Sequence, residues 1–336
     1  MLSKLKTRLA NLTPAQALFF LSPLLGEVVS GYLSPLEFIN PLNFLITIMP
    51  YGCGALIVRE LMVRYRKGWI SLVLLGLTFG LFFEGIVTRV IFNPNWKDLG
   101  KLADYTNMYA FNWTLAVGIV HFQAVISIIC AVLLAEMIYP KQRHASWIST
   151  RTLIGCGIVL PGWTIVIGVF VPFVPPLPGV LALIGLVAVL LALALIIPAE
   201  LFMANPCFTP RPLVFGLVGG IGMTLIMAGT YMVPELDFRP PMMVMFVVLL
   251  VLVTVEFVVL TLSNKGGVAW TDRHRLAMII GFLAFFLVFA IGKDFQVFAG
   301  RSFVSIVTVW QLRRLWLHIG AREQSALPLI QAVDEG

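Results

Sequence analysis

Apolar residues fall into ten long runs, separated by short breaks of charge, proline or glycine. With boundaries read from hydropathy, they cover 14–33, 41–63, 69–92, 111–138, 152–174, 178–202, 212–233, 241–262, 276–292 and 298–316. Runs of this length match the roughly 20 residues that a helix needs to cross hydrocarbon. The pattern predicts an all-α polytopic membrane bundle of about ten spans. Residues 1–319 form one transmembrane domain in this reading, and 320–336 a short cytoplasmic tail. Lys4, Lys6 and Arg8 before the first run imitate a signal peptide, but Glu27 sits inside that run and no small-residue cleavage site precedes it. We read it as an uncleaved first span.

Composition agrees. Hydrophobic residues make up 60% of the 336, charged residues 12%, and mean hydropathy is +0.97. Soluble domains carry about 25% charge. The net charge of +7 comes from short clusters between runs, such as Arg64, Arg66 and Lys67, not from one basic face. That argues against nucleic acid and for orientation in a bilayer. Of 23 Lys and Arg, six lie in one set of alternate segments: Arg89, Lys97, Lys101, Arg239, Lys293 and Arg301. The other 17 share the opposite set with both chain ends. The positive-inside rule then puts both termini in the cytoplasm, which requires an even number of spans. The expected location is a bacterial-type cytoplasmic membrane.

Candidate chemistry follows from polar residues inside the runs, where a charge is costly unless paired, protonated or hydrated. Glu27, Glu84 and Glu256 are the deep acids, His121 the deep histidine, and Gln123 adds an amide. Glu27, Glu84 and His121 lie roughly 9, 12 and 15 Å from the outer ends of their spans, at 1.5 Å per residue. Gly76, Gly80, Glu84 and Thr88 recur every fourth residue, as one stripe on span 3. Thr114, Gly118 and His121 form another on span 4, and Pro23, Glu27 and Gly31 a third on span 1. The expectation is one outward-opening site on spans 1, 3 and 4, binding substrate or proton through Glu27, Glu84, His121, Arg89 and Gln123. Its alternative is a polar network that only fixes helix packing. Arg89, about 140° around the helix from Glu84, is expected to reach for the outer surface.

A Glu with a His can also activate water, so Glu84 and His121 are the catalytic candidates. Glu84-Gly85-Ile86-Val87-Thr88-Arg89 resembles, over six residues, the paired-glutamate and arginine motif of the CAAX-processing intramembrane proteases. Gly85 stands where the second glutamate belongs in one register, and the arginine is one residue late in the other. The family's further histidine motifs have only His121 at membrane depth to match. HExxH, GxSxG and a strand-borne GxGxxG are missing. Cys53, Cys130, Cys156 and Cys207 form no CxxC pair and read as buried hydrophobes. No cofactor or metal is expected.

The reading is therefore a carrier or channel-like protein acting on a small molecule, ion or lipid. An intramembrane hydrolase and an accessory subunit of a membrane complex are the alternatives. Five plus five spans also allow an inverted repeat, with Glu84 matching Glu256.

Overall fold

The computed structural model describes residues 12–199, 210–263 and 270–334. The basic residues Lys4, Lys6, Arg8 and Lys265, the thiol Cys207 and the end of span 6 lie outside them. Among the described residues the fold is helical, with nine apolar helices and a long amphiphilic one after them. They are α1 (Pro14–Val29), α3 (Pro41–Arg64), α4 (Trp69–Val87), α6 (Trp113–Ile138), α7 (Thr150–Phe170), α8 (Leu177–Ile196), α9 (Pro212–Glu235), α10 (Met242–Ser263), α11 (Asp272–Gln296) and α12 (Arg301–Asp334). Two short helices, α2 (Pro35–Ile39) and α5 (Leu102–Tyr105), lie in the connections. All of α3 to α11 except α5 are long and apolar enough to cross a membrane, and α1 is a shorter apolar helix.

Local sequence starts and stops these helices. Thr13 caps α1 with a capping box: its hydroxyl accepts from Gln16 N, and Gln16 Oε1 accepts from Thr13 N. Pro14 and Pro41 open their helices where no N–H is needed. Gly31, at φ +76°, turns the chain after α1, so the helix stops short of Leu33. Pro50 interrupts α3 and cannot donate to Ile46 O. Trp163 Nε1 of α7 donates to that carbonyl instead, at 2.9 Å.

Two boundaries differ from the hydropathy reading for one reason. Residues 88–92 were expected in span 3, yet α4 ends at Val87. Val90, Ile91 and Phe92 are buried within the connection between α4 and α6, so their apolarity reflects protein rather than lipid. The last helix departs more. It begins at Arg301 and continues to Asp334, so the expected tail 320–336 is mostly helix. Arg301 Nε donates to Gly31 O at one end of the bundle. Arg322 meets Met137 O and Asp272 at the other. Twenty-one residues rise about 32 Å, the thickness of a hydrocarbon core. The tenth helix therefore traverses the bundle despite its charge.

The ends of the helices sort as the charge pattern predicts. Leu12 O accepts from Tyr139 Oη at the Ile138 end, where Arg322 also lies. Both ends of the described chain thus share one face, termed here the basic end. Arg59 and Glu60, both fully buried, anchor it. Glu60 accepts from Arg59, Arg64, Ser146 and the Trp147 backbone, and Arg59 lies 3.6 Å over the Trp147 ring. Arg143 and Arg322 converge on Asp272.

Helix α6 is the central post, with 83% of its apolar window buried, against 11% for α7 and α8 and 22% for α10. Around it stand α1, α4, α9, α10 and α11. Gly80 and Gly76 bring α4 onto the α6 backbone at Val120 and Ala124. Helices α9 and α11 cross closest of all. A Cβ on Gly281 would stand 2.1 Å from Gly216 O. The packing does not follow the five-plus-five repeat: α1 packs on α3, but its would-be counterpart α8 packs on α4.

Candidate functional site

Four of the membrane helices loosen into π-helical turns, at Leu24–Val29, Phe82–Val87, Gln123–Cys130 and Ala228–Met232. Such turns are rare and concentrate at functional sites, since they widen the helix and free backbone carbonyls. Here they coincide with the polar residues. The first holds Glu27, the second Glu84, the third Gln123 and Ser127, and the fourth Thr230. Ser22 Oγ donates to Ser127 O in the third turn at 2.7 Å and to Tyr51 O on α3 at 3.2 Å.

Three of the four turns meet in one network. Glu84 Oε1 accepts from Gln123 Nε2, and Glu84 Oε2 accepts from Thr88 Oγ1 at 2.9 Å. Gln123 Nε2 also donates to Tyr51 Oη at 2.9 Å, and Gln123 Oε1 accepts from Ser127 Oγ at 2.6 Å. The Glu27 carboxyl lies beside the Tyr51 hydroxyl, within electrostatic reach of Glu84. Glu27 and Glu84 are 7% and 4% exposed, and Glu27 Oε2 has no partner. Gly26 makes this meeting possible. A Cβ there would strike Ser127 Oγ at 2.6 Å and the Tyr51 ring at 2.9 Å.

His121 and Arg89 do not join this network. His121 Nε2 lies 3.3 Å from Glu256 Oε2, on α10. His121 and Gln123 are two residues apart on α6, about 200° around the helix, so they face opposite ways. Similar depth on adjacent spans therefore did not mean a shared pocket. Arg89 adopts φ +62° and turns from Glu84 toward the α7–α8 hairpin, donating to Phe173 O at 2.7 Å and Thr164 O at 3.3 Å. It closes that hairpin rather than snorkelling freely. The catalytic pair Glu84 and His121 is accordingly not assembled.

The connection 88–112 caps the end of the bundle opposite the basic end. A two-residue hairpin pairs Asn107–Met108 with Phe111–Asn112, turning at Tyr109 and Ala110, both at φ +58°. That is the backbone of a type I′ turn without its usual glycine. Asn112 then caps α6, accepting from Leu115 N. Lys101 ties the cap to the α9–α10 connection, with Nζ 2.6 Å from Asp237 Oδ2. Tyr105 Oη adds a bond to Phe238 O at 2.7 Å. The Lys101 ammonium holds the Asp237 carboxyl below the usual carboxylate range.

Tyr51 and Ser127 were not singled out by sequence. Both read as ordinary span residues, and the only available signal was their place in polar spans. Two buried carboxyls with hydroxyl oxygens beside them suit a proton or a small cation. Among the described residues no three His, Cys, Asp or Glu side chains converge on one point.

A family described as "Uncharacterized membrane protein family" matches residues 17–311, most of the chain, and the chain belongs to it. No curated protein and no solved structure matches.

Proposed function

We propose that this member of an uncharacterized membrane protein family is a carrier for a proton or small cationic solute, with Glu27 and Glu84 as its binding carboxyls. One observation carries the reading: three π-helical turns from α1, α4 and α6 converge, and each brings a polar side chain to one buried network. A network that only glued helices would be satisfied. Here Glu27 Oε2 is buried without a partner, an unmet acceptor that a bound proton or cation would satisfy. Two buried carboxyls repel an anion and favour a ligand that restores neutrality. The cap above them and the ion network at the basic end close both approaches, as an occluded carrier requires. In orientation, the basic end faces the cytoplasm and the cap faces out. The hydrolase alternative loses its support, because Glu84 has no histidine beside it.

The test uses protein reconstituted in liposomes holding a pH-sensitive dye, challenged with alkali-metal ions and organic amines under an imposed potential. A dye response is expected with wild-type protein and absent in Glu27→Gln and Glu84→Gln. Traces indistinguishable between wild type, the double variant and empty vesicles would overturn the reading.

A further inference from the structure

A second set of buried polar groups lies on the other face of α6. His121 is 7% exposed and Glu256 4%, and they approach to 3.3 Å. Neither is satisfied by anything else: His121 Nε2 and both Glu256 oxygens lack a hydrogen-bond partner of good geometry. Two more orphans stand close by. The Thr230 and Thr114 hydroxyls are fully buried and unpartnered. A Cβ on Gly118 would stand 2.2 Å from Thr230 Oγ1, which places that hydroxyl against α6 one turn from His121. Thr114 lies one further turn toward the outer end. From Thr114 to His121 the stripe rises about 10 Å. On the far side Gly222 of α9 makes room for the carboxyl. A Cβ there would meet Glu256 Cδ at 2.5 Å.

Buried polar atoms without partners are uncommon, and five in one seam between α6, α9 and α10 require an explanation. We infer that His121 and Glu256 form a proton-binding site, distinct from the Glu27–Glu84 network and opening toward the outer end past Thr230 and Thr114. The groups that could compete are few. Helix α10 has no other charge, and α4 has only Glu84, which faces Gln123. Helix α9 adds Tyr231 and the terminal Glu235, and α6 adds Cys130 and Glu136 nearer the basic end.

The exchanged proton lies between Glu256 Oε2 and His121 Nε2. On oxygen it makes a neutral acid donating to the ring; on nitrogen it makes an imidazolium donating to a carboxylate. Both forms are neutral as a pair, as burial demands. Release sends that proton to outer water, breaks no heavy-atom bond and leaves one uncompensated carboxylate. Such a charge needs water, so release is tied to opening of the α6–α9–α10 seam. This deepens the carrier reading and rests on it for its purpose. Helix α6 presents His121 to one site and Gln123 to the other.

The pair can be tested without a substrate. Dicyclohexylcarbodiimide modifies protonated carboxyls in apolar surroundings, and peptide mass spectrometry locates the adduct. Purified full-length protein is expected to be modified at Glu256, with a yield that falls as pH rises. Infrared spectra should show a carboxylic C=O band with the same pH dependence, lost in Glu256→Gln. His121→Asn should change that dependence, whereas Glu84→Gln should not. A Glu256 band that does not respond to pH, or one indifferent to His121→Asn, overturns the inference. A monodisperse elution profile checks that each variant folds, and His121→Gln replaces any that does not. Should the dye assay fail while these spectra titrate, the carrier reading falls and the proton site stands.

Discussion

At the scale of single residues, Gln123 holds the site together. Its amide donates to Glu84 and Tyr51 and its oxygen accepts from Ser127. Gln123→Ala strands three buried polar groups at about 1–3 kcal/mol each, so a marked fall in Tm of the purified protein is expected. Glu84→Gln keeps a hydrogen-bonding shape and should cost far less stability while abolishing flux. Glycines offer a cleaner contrast. Gly281→Ala drives a methyl into the Gly216 carbonyl, which is backbone and cannot swing aside. Gly155→Ala meets nothing within 4 Å. Thermal unfolding of the two variants should differ by several degrees, with Gly281→Ala the less stable.

Among elements, the cap 88–112 is the part most open to change by solution conditions. Asp237, depressed by Lys101, is charged above the ordinary aspartate range and remains so somewhat below it. The contribution of the Lys101–Asp237 contact is therefore present at neutral pH and lost as pH falls through the lowered value. A spin label on Asn95→Cys should gain mobility over that acidic window. Lys101→Ala should be mobile already at neutral pH and show no such step. What sequence revealed about the elements follows from periodicity and length. Nine apolar helices could be read because each satisfies its own backbone and shows lipid a run of apolar side chains. The acids Glu27 and Glu84 were legible because charge at depth is costly. The partner of His121 was not, because depth along a span says nothing about the direction a side chain faces. Nor was the role of Tyr51, whose importance comes from a crossing that only Gly26 permits.

For the whole molecule, the arrangement is a central post, α6, with one polar site on each side of it and a closed layer at each end. Topology is the first thing to measure. Reporter fusions after Gly336 and at Tyr105 should report opposite sides, with the Gly336 fusion cytoplasmic. The tenth helix gives this its force. Its 34 residues join the apolar run 298–316 to a charged continuation, and it packs along α11 and against the π-helical end of α1. A C-terminus on the outer side would mean that this helix does not cross.

The π-helical turns have a consequence for descent. Each holds one residue more than an α-helical path of the same height, so the helix beyond it is rotated by about 100°. Such a turn arises by a single-residue insertion in a helix and disappears by a single-residue deletion. Length variation among relatives usually falls in loops. Here the telling gaps should fall inside membrane helices, at 24–29, 82–87 and 123–130. A relative one residue shorter between Trp69 and Thr88 would keep a hydrophobic span and lose the placement of its glutamate. Counting residues between fixed points within spans would then separate family members that retain the acidic site from those that have kept only the fold.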